Sequence, residues 1–195
     1  MGKINKLQMP IRGVPLLRRS LETLLASKLG EIVVVLGHDR SHTQALFEDL
    51  PVRTAYNDDY QTGQMTSVHC GLASLTQASE GVMVALGDQP ALTVRDIDFL
   101  IDAFLNRKGG EVMIPVFEGA RGNPIIISRQ SQQEIIGGKY NLGCRRFIEN
   151  NPALVRTVEM PVGSILIDLD TPIDYRNYCD SNSNHDKLTL LQQDN

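Results

Sequence analysis

Three aspartates stand where an acidic site could form. Asp88 follows the apolar run from Val82 to Leu86 and sits between Gly87 and Gln89-Pro90. Glycine there permits close backbone approach and Pro90 stiffens the exit, so the carboxylate is expected at a fixed place. Asp168 and Asp170 follow the run Ile165 to Ile167, just ahead of Thr171-Pro172. If both runs are strands of an open parallel sheet, the carboxylates lie at carboxyl ends, where ligands collect. Two carboxylates converging from separate strand ends suit magnesium, which takes oxygen ligands, keeps several waters and bridges protein to phosphates. The blander alternative for Asp88 is a turn cap, and for Asp170 a helix cap.

Arg121-Gly122-Asn123-Pro124 adds a guanidinium, which binds phosphate bidentately, although an arginine in such a turn is as often a solvated hairpin residue. His38 and His42 lie four apart, but no cysteine and no His-Glu-x-x-His pattern accompanies them, which argues against zinc. Ser67 and Cys70 have no elbow motif or partnered base and do not read as nucleophiles. Met65 and Met113 read as core fillers.

The elements that would hold these groups are legible in the periodicity. Leu16, Leu17, Leu21, Leu24 and Leu25 repeat at helical spacing ahead of Gly30, and Glu31 to Leu36 then reads as a buried strand. After the strand at 82–86, Thr93 and Asp96 form a capping-box pattern before Ile97, Leu100, Ile101 and Phe104. Val112 to Val116 and Pro124 to Ser128 read as strands around a turn-rich Glu118 to Asn123, with Ser131 and Glu134 opening a short helix. Leu142, Phe147 and Ile148 suggest a further helix. Leu154 to Met160 and Ile165 to Asp168 read as strands, and Thr171-Pro172-Ile173-Asp174 reads as a helix start. Alternating helices and apolar strands imply a three-layer α/β domain with a mostly parallel sheet over residues 1–175. From Arg176 the composition turns polar, so 176–195 reads as a mobile tail with a weak helix at Leu188 to Leu191.

Composition narrows the class. At 195 residues, 42% hydrophobic and 22% charged, the chain can bury one core. Neither a membrane span nor a signal peptide is readable, so a cytoplasmic protein is expected. Cys70, Cys144 and Cys179 are too few and too scattered for a disulfide framework. A net charge of −4 without a basic aromatic patch favours a small-molecule substrate over nucleic acid.

The order of the pieces resembles the molybdenum cofactor cytidylyltransferase branch of the MobA-like nucleotidyltransferases. The matching stretches are Gly13-Val14-Pro15-Leu16-Leu17, Asn57-Asp58-Asp59-Tyr60 with Gly63 and Thr66-Ser67, Gly87-Asp88-Gln89-Pro90, Arg121-Gly122-Asn123-Pro124, and Asp168 to Tyr175. The resemblance implies a Rossmann-like α/β/α fold of the nucleotide-diphospho-sugar transferase type. It implies Mg2+ on Asp88 and Asp170, and Lys6 (or Lys3) neutralising the triphosphate. It also implies base contacts from Gly13, Pro15, Leu16 and Leu17, nucleotide contact at Ser67 beside Gly87, and acceptor contact at Arg121 and Asn123. Pro15-Leu16-Leu17 is similar to members that use CTP rather than GTP. The implied acceptor is a phosphorylated pterin of molybdopterin type, with a molybdenum hydroxylase or its accessory protein as a transient partner.

The family opens with an apolar strand and a glycine-rich loop, which this chain, beginning at Met1-Gly2, does not show. Backbone N–H groups of such a loop supply much of the phosphate binding, and the strand would lie mid-sheet. The expectation is a reading frame that starts upstream of Met1. The alternative is a remnant that binds the pterin without catalysis.

Overall fold

The computed structural model describes residues 5–138 and 151–191, of which 182–191 are described through their backbone alone. A hairpin of β1 (Pro10–Ile11) and β2 (Val14–Pro15) leads into α1 (Leu16–Leu25). Its two-residue turn holds Arg12 at φ 52° and Gly13 at φ 81°, a left-handed pair that a glycine in second place makes easy. Along α1, Leu16, Leu17, Ser20 and Leu21 share one buried face.

β3 (Val33–Leu36) pairs in parallel with β4 (Arg53–Tyr56), and the short α2 (Arg40–Gln44) lies between them in sequence. α3 (Gln64–Ser74) follows, then β5 (Gly81–Val84) and α4 (Val94–Leu105). The expected capping box is present: Thr93 N and Oγ1 both donate to Asp96, at 2.9 and 2.8 Å. β6 (Val112–Phe117) turns through Glu118 and Gly119 into β7 (Ala120–Arg121). β8 (Ile125–Ser128), α5 (Arg129–Ile136), β9 (Val155–Glu159) and α6 (Pro172–Leu191) complete the order.

β5, β8, β6 and β7 form one sheet in that order through antiparallel pairings, and β9 joins β6 in parallel. The fold is therefore α/β with a mixed sheet, because the tight turn after β6 returns the chain antiparallel before β8. One face packs Val112, Ile114 and Ile127 against Leu72 of α3 and Ile135 of α5. The other packs Met113 and Ile126 against Ile97, Leu100 and Phe104 of α4. Period-two alternation along β6 and β8 thus feeds two helical layers.

Two readings change. The run Ile165 to Asp168 is not a strand: Gly163–Leu166 is a 3-10 turn, because Ser164 bonds Asp96 and the Ile165 carbonyl takes the Asn123 N–H at 3.2 Å. The short helix opens on Ser128, whose hydroxyl accepts from Ser131 N, rather than on Ser131. The polar stretch after Tyr175 lies in the backbone of α6, with Tyr178 packed beside Ile11, Leu16 and Leu169. The helix suggested at Leu142, Phe147 and Ile148 falls outside the described residues. No helix among the described residues is long and apolar enough to cross a membrane.

One region of the sheet is open. Among the described residues β3 pairs only with β4 and β5 only with β8, and a cavity of about 490 Å³ lies between β3 and β5. α1 contributes Leu21 and Leu24 to its walls, and α3 contributes Val68 and Leu72.

Candidate functional site

Asp88 lies in the loop that leaves β5, and Asp170 precedes α6, more than eighty residues later. One backbone bond joins the two segments: Leu169 N donates to the Asp88 carbonyl at 3.2 Å. Leu169 is itself buried against Ile11 and Leu16, so the α1 hairpin and the Asp170 loop are clamped together. On the other side, the final helix is capped by a reciprocal Thr171 and Asp174 box.

Lys6 completes the cluster from the amino-terminal side. It sits on the 3-10 turn Lys6–Gln8, which Asn5 caps by accepting from Leu7 N at 3.1 Å. The ammonium donates to Asp88 Oδ2 at 2.5 Å and to Asp170 Oδ1 at 2.7 Å. Burial works against the charged amine, but the bonds to Asp170 and Asp88 outweigh it and raise the lysine above its ordinary value. Lys3 lies outside the described residues.

A single cation thus touches both carboxylates. The remaining oxygen of Asp88, Oδ1, is buried and has no hydrogen-bond partner, while the Asp170 side chain is 70% exposed. An inward acceptor without a donor beside an outward carboxylate fits a hydrated divalent ion of the magnesium type. Asp168 does not share the ammonium. It accepts from Gln89 Nε2 at 2.7 Å, and burial, reinforced by the nearby Asp88 and Asp170 charges, raises its pKa against that bond and Lys6.

Other sequence-predicted residues occupy different environments. Gly87 is tight: a Cβ there would meet Leu17 Cδ1 at 3.0 Å and Leu7 Cδ2 at 3.3 Å. Leu16 and Leu17 are core residues, 0% and 5% exposed, and Pro15 and Gly13 set the start of α1. Ser67 accepts from Asn57 Nδ2 at 2.9 Å, as does Thr66, so both hydroxyls are held at the first turns of α3. Arg121 is exposed on β7 opposite Val116, and among the described residues no hydrogen bond or ion pair joins it to the carboxylates. Asn123 N bonds the Ile165 carbonyl, and Gly122 is required beside it, since a Cβ would meet that oxygen at 2.5 Å.

Sequence reasoning passed over Gln89 and Asn57 as actors. Both are buried, at 1% and 5% exposure, and each organises a neighbouring segment through its amide. A glutamine directly after a strand-end aspartate, inside an apolar stretch, was the available signal. His42 pairs with Asp39 at 2.6 Å, in keeping with a solvated face. Cys70 and Cys179 form no disulfide, and Cys144 lies outside the described residues.

Residues 1–156 match the family model of the MobA-like NTP transferase domain. The chain is 27% identical to nicotine blue oxidoreductase of Paenarthrobacter nicotinovorans over 181 residues, covering 88% of this chain and 86% of that one. It is equally 27% identical to purine catabolism protein PucB of Bacillus subtilis over 180 residues, with the same coverage. Among solved structures, Rv0371c of Mycobacterium tuberculosis superposes with a TM-score of 0.79 at 21% identity, over 91% of this chain and 90% of that one. A manganese complex of that protein gives 0.75 at 22%, over 92% and 93%. A CMP:2-keto-3-deoxy-manno-octonic acid synthetase complexed with CTP gives 0.74 at 12%, over 92% of each chain. These likenesses establish the fold.

Proposed function

Because the chain belongs to the MobA-like NTP transferase domain family, we propose that it transfers CMP from CTP to the phosphate of a small-molecule acceptor of molybdopterin type, releasing pyrophosphate. The observation that carries this reading is the convergence of Lys6, Asp88 and Asp170 on one point, with a buried unpartnered oxygen on Asp88. CTP is favoured by the Pro15-Leu16-Leu17 stretch, and one fold neighbour is a CMP-transferring synthetase seen with CTP.

In the reaction, an acceptor phosphate oxygen attacks the α-phosphorus in line, the bond to the β-phosphate oxygen breaks, and pyrophosphate leaves with that electron pair. No covalent intermediate on the protein is needed, so positioning and charge neutralisation carry the barrier. Asp88 and Asp170 would hold Mg2+, which, when bound, would supply charge neutralisation to the triphosphate. Lys6, beside both carboxylates, would give its ammonium to the triphosphate. Thr66 and Ser67 on the first turns of α3, fixed by Asn57, would offer hydroxyls to the nucleotide. Arg121 would meet the acceptor's phosphate from the β7 turn. A cytoplasmic setting, and transient contact with a molybdenum hydroxylase or its accessory protein, belong to the same proposal.

The test is calorimetric titration of the chain, and of a form extended upstream of Met1, with CTP and with GTP in the presence of magnesium, followed by product analysis with pterin phosphate. Preference for CTP, and a loss of turnover on the order of 10³-fold in Asp88→Ala, supports the reading. Tighter GTP, or a sugar phosphate as the productive acceptor, redirects it to a guanylyl- or sugar-phosphate nucleotidyltransferase. Pterin binding without nucleotide binding in both forms replaces it with a cofactor-binding protein.

A further inference from the structure

We propose that Gln89 is a positioning residue for the transfer: its buried amide fixes the turn at 121–123, where the acceptor's phosphate docks, relative to the carboxylates of Asp88 and Asp170. The role rests on the reading of those carboxylates as the metal's holders and of Arg121 as the acceptor's contact.

The amide is used entirely as a donor. Gln89 is 1% exposed, and its Nε2 donates to Asp168 Oδ1 at 2.7 Å and to the Ile165 carbonyl at 3.2 Å. Its Oε1 is buried and has no hydrogen-bond partner among the described residues. Turning the amide over would set Oε1 against two acceptors, so the partners themselves fix its orientation. Two acceptors side by side call for a group with two N–H bonds. A leucine of similar volume supplies none, and neither does an ionised glutamate.

The Ile165 carbonyl carries the bond beyond one loop. It also accepts from Asn123 N at 3.2 Å, so two donors from distant segments meet on one oxygen and use both of its lone pairs. The turn at 121–123 is pressed against that oxygen, since a Cβ on Gly122 would meet it at 2.5 Å. Gly122 N donates to the Pro115 carbonyl at 2.9 Å, so the turn has one anchor on β6 and a second on Ile165. A shift of the Ile165 carbonyl therefore moves the turn or breaks its second anchor. Gln89 is the side chain that ties this carbonyl to the residue next to Asp88.

The carboxylate pair has a tie of its own. Leu169 N donates to the Asp88 carbonyl at 3.2 Å, and Leu169 is buried against Ile11 and Leu16, so Asp88 and Asp170 stay together without the amide. Loss of the amide thus acts on the acceptor's side more than on the nucleotide's. In-line attack depends on where the acceptor oxygen is held, and a displacement of about 1 Å can cost on the order of 100-fold in rate. A glutamine that only filled the core would, when replaced, lower the amount of folded protein and leave both KM values alone.

The test compares the full chain with Gln89→Leu and with the exchanged pair Gln89→Glu, Asp168→Asn. The exchanged pair keeps the total charge and restores a bond between the two positions with donor and acceptor reversed, but offers nothing to the Ile165 carbonyl. Amide hydrogen exchange is read first, because it needs no reaction. In both variants the Asn123 amide is expected to exchange at least about tenfold faster, beyond any change shared with the amides at 112–114. In turnover with CTP, Mg2+ and a phosphorylated pterin, both variants are expected to raise the acceptor's KM roughly tenfold and to leave that of CTP within about twofold. An Asn123 amide that changes only as β6 does overturns the proposal, whatever the activity. Recovery of both readouts in the exchanged pair assigns the effect to the Asp168 bond and overturns the route through Ile165. Equal rises in the two KM values overturn the assignment to the acceptor's side. Faster Asn123 exchange in a chain that transfers no nucleotide keeps the tie and overturns the enzymatic reading instead, so the two fail separately.

Discussion

The two halves of the sheet are held together by different means. From β5 to β9 the strands are joined edge to edge, and Ile127, Val112 and Leu100 are at most 1% exposed. The β3/β4 pair is joined to that half by no ladder among the described residues, only by helices that span the opening and by polar ties at its mouths. Cohesion in the first half is therefore distributed over many backbone bonds and two apolar faces. In the second it rests on Leu17, Leu21 and Phe47 around Val34 and Leu36, beside an existing cavity. The functional cluster lies where the halves meet, so its geometry depends on the weaker junction.

The largest effect that sharpens this contrast comes from matched truncations. Ile127→Ala removes a side chain packed between β6, α3 and α5, and is expected to cost about 4 kcal/mol in urea unfolding. Leu36→Ala, which borders the existing cavity, is expected to cost about 2 kcal/mol. Equal costs would mean that the opening does not loosen its surroundings.

The contrast also explains what could be read in advance. α1, α4 and both capping boxes rest on interactions within a few residues, so helical spacing and Thr-x-x-Asp patterns reveal them. Asp88 at the end of β5 was legible for the same reason. Asp170 was legible as a candidate, but its approach to Asp88 depends on one bond from Leu169, across a separation no local pattern encodes. The turn at Ile165 is the converse case. Its side chains read as a strand, yet the Ile165 carbonyl accepts from Asn123 N and Gln89 Nε2, and the neighbouring Ser164 hydroxyl bonds Asp96, so three distant segments hold it. The opening beside β3 was not legible in Val33 to Leu36 at all, since a buried strand reads the same whether one edge or both are paired.

An intermediate effect lies at the joint between the carboxylates. Gln89→Leu keeps the volume but removes the donor from Asp168 and from the Ile165 carbonyl, and is expected to cost about 2 kcal/mol at neutral pH. Asp168 already has a raised pKa, and losing the bond that lowers it raises it further. An acid whose folded pKa exceeds its unfolded value takes up its proton more readily when folded, so stability returns as pH falls through the folded pKa. The deficit of Gln89→Leu should therefore shrink on acidification, as read from urea midpoints of both proteins across pH. A deficit independent of pH would assign the loss to packing around Ile165 alone.

The smallest effect concerns the polar tie at the end of the cavity where β3 and β5 begin. Glu31 accepts from Gln77 N at 2.9 Å, from Arg53 at 2.5 Å and from Thr76, which fastens the start of β3 to the segment entering β5. The Gln77 backbone N–H first, and then Arg53, lower its pKa from 4.5 to about 2. With the folded value below the unfolded one, its contribution is complete above the unfolded pKa and is lost as pH falls through the folded value. Glu31→Gln is expected to lower Tm slightly at neutral pH, with the gap between the proteins closing as pH falls from about 4.5 to about 2. Because Gly30 and Glu31 border the cavity, the same substitution should speed amide exchange at 33–36 more than at 112–117. Equal acceleration in both strands would show that the two halves open as one unit, and that the ladder missing between them is compensated by the helices.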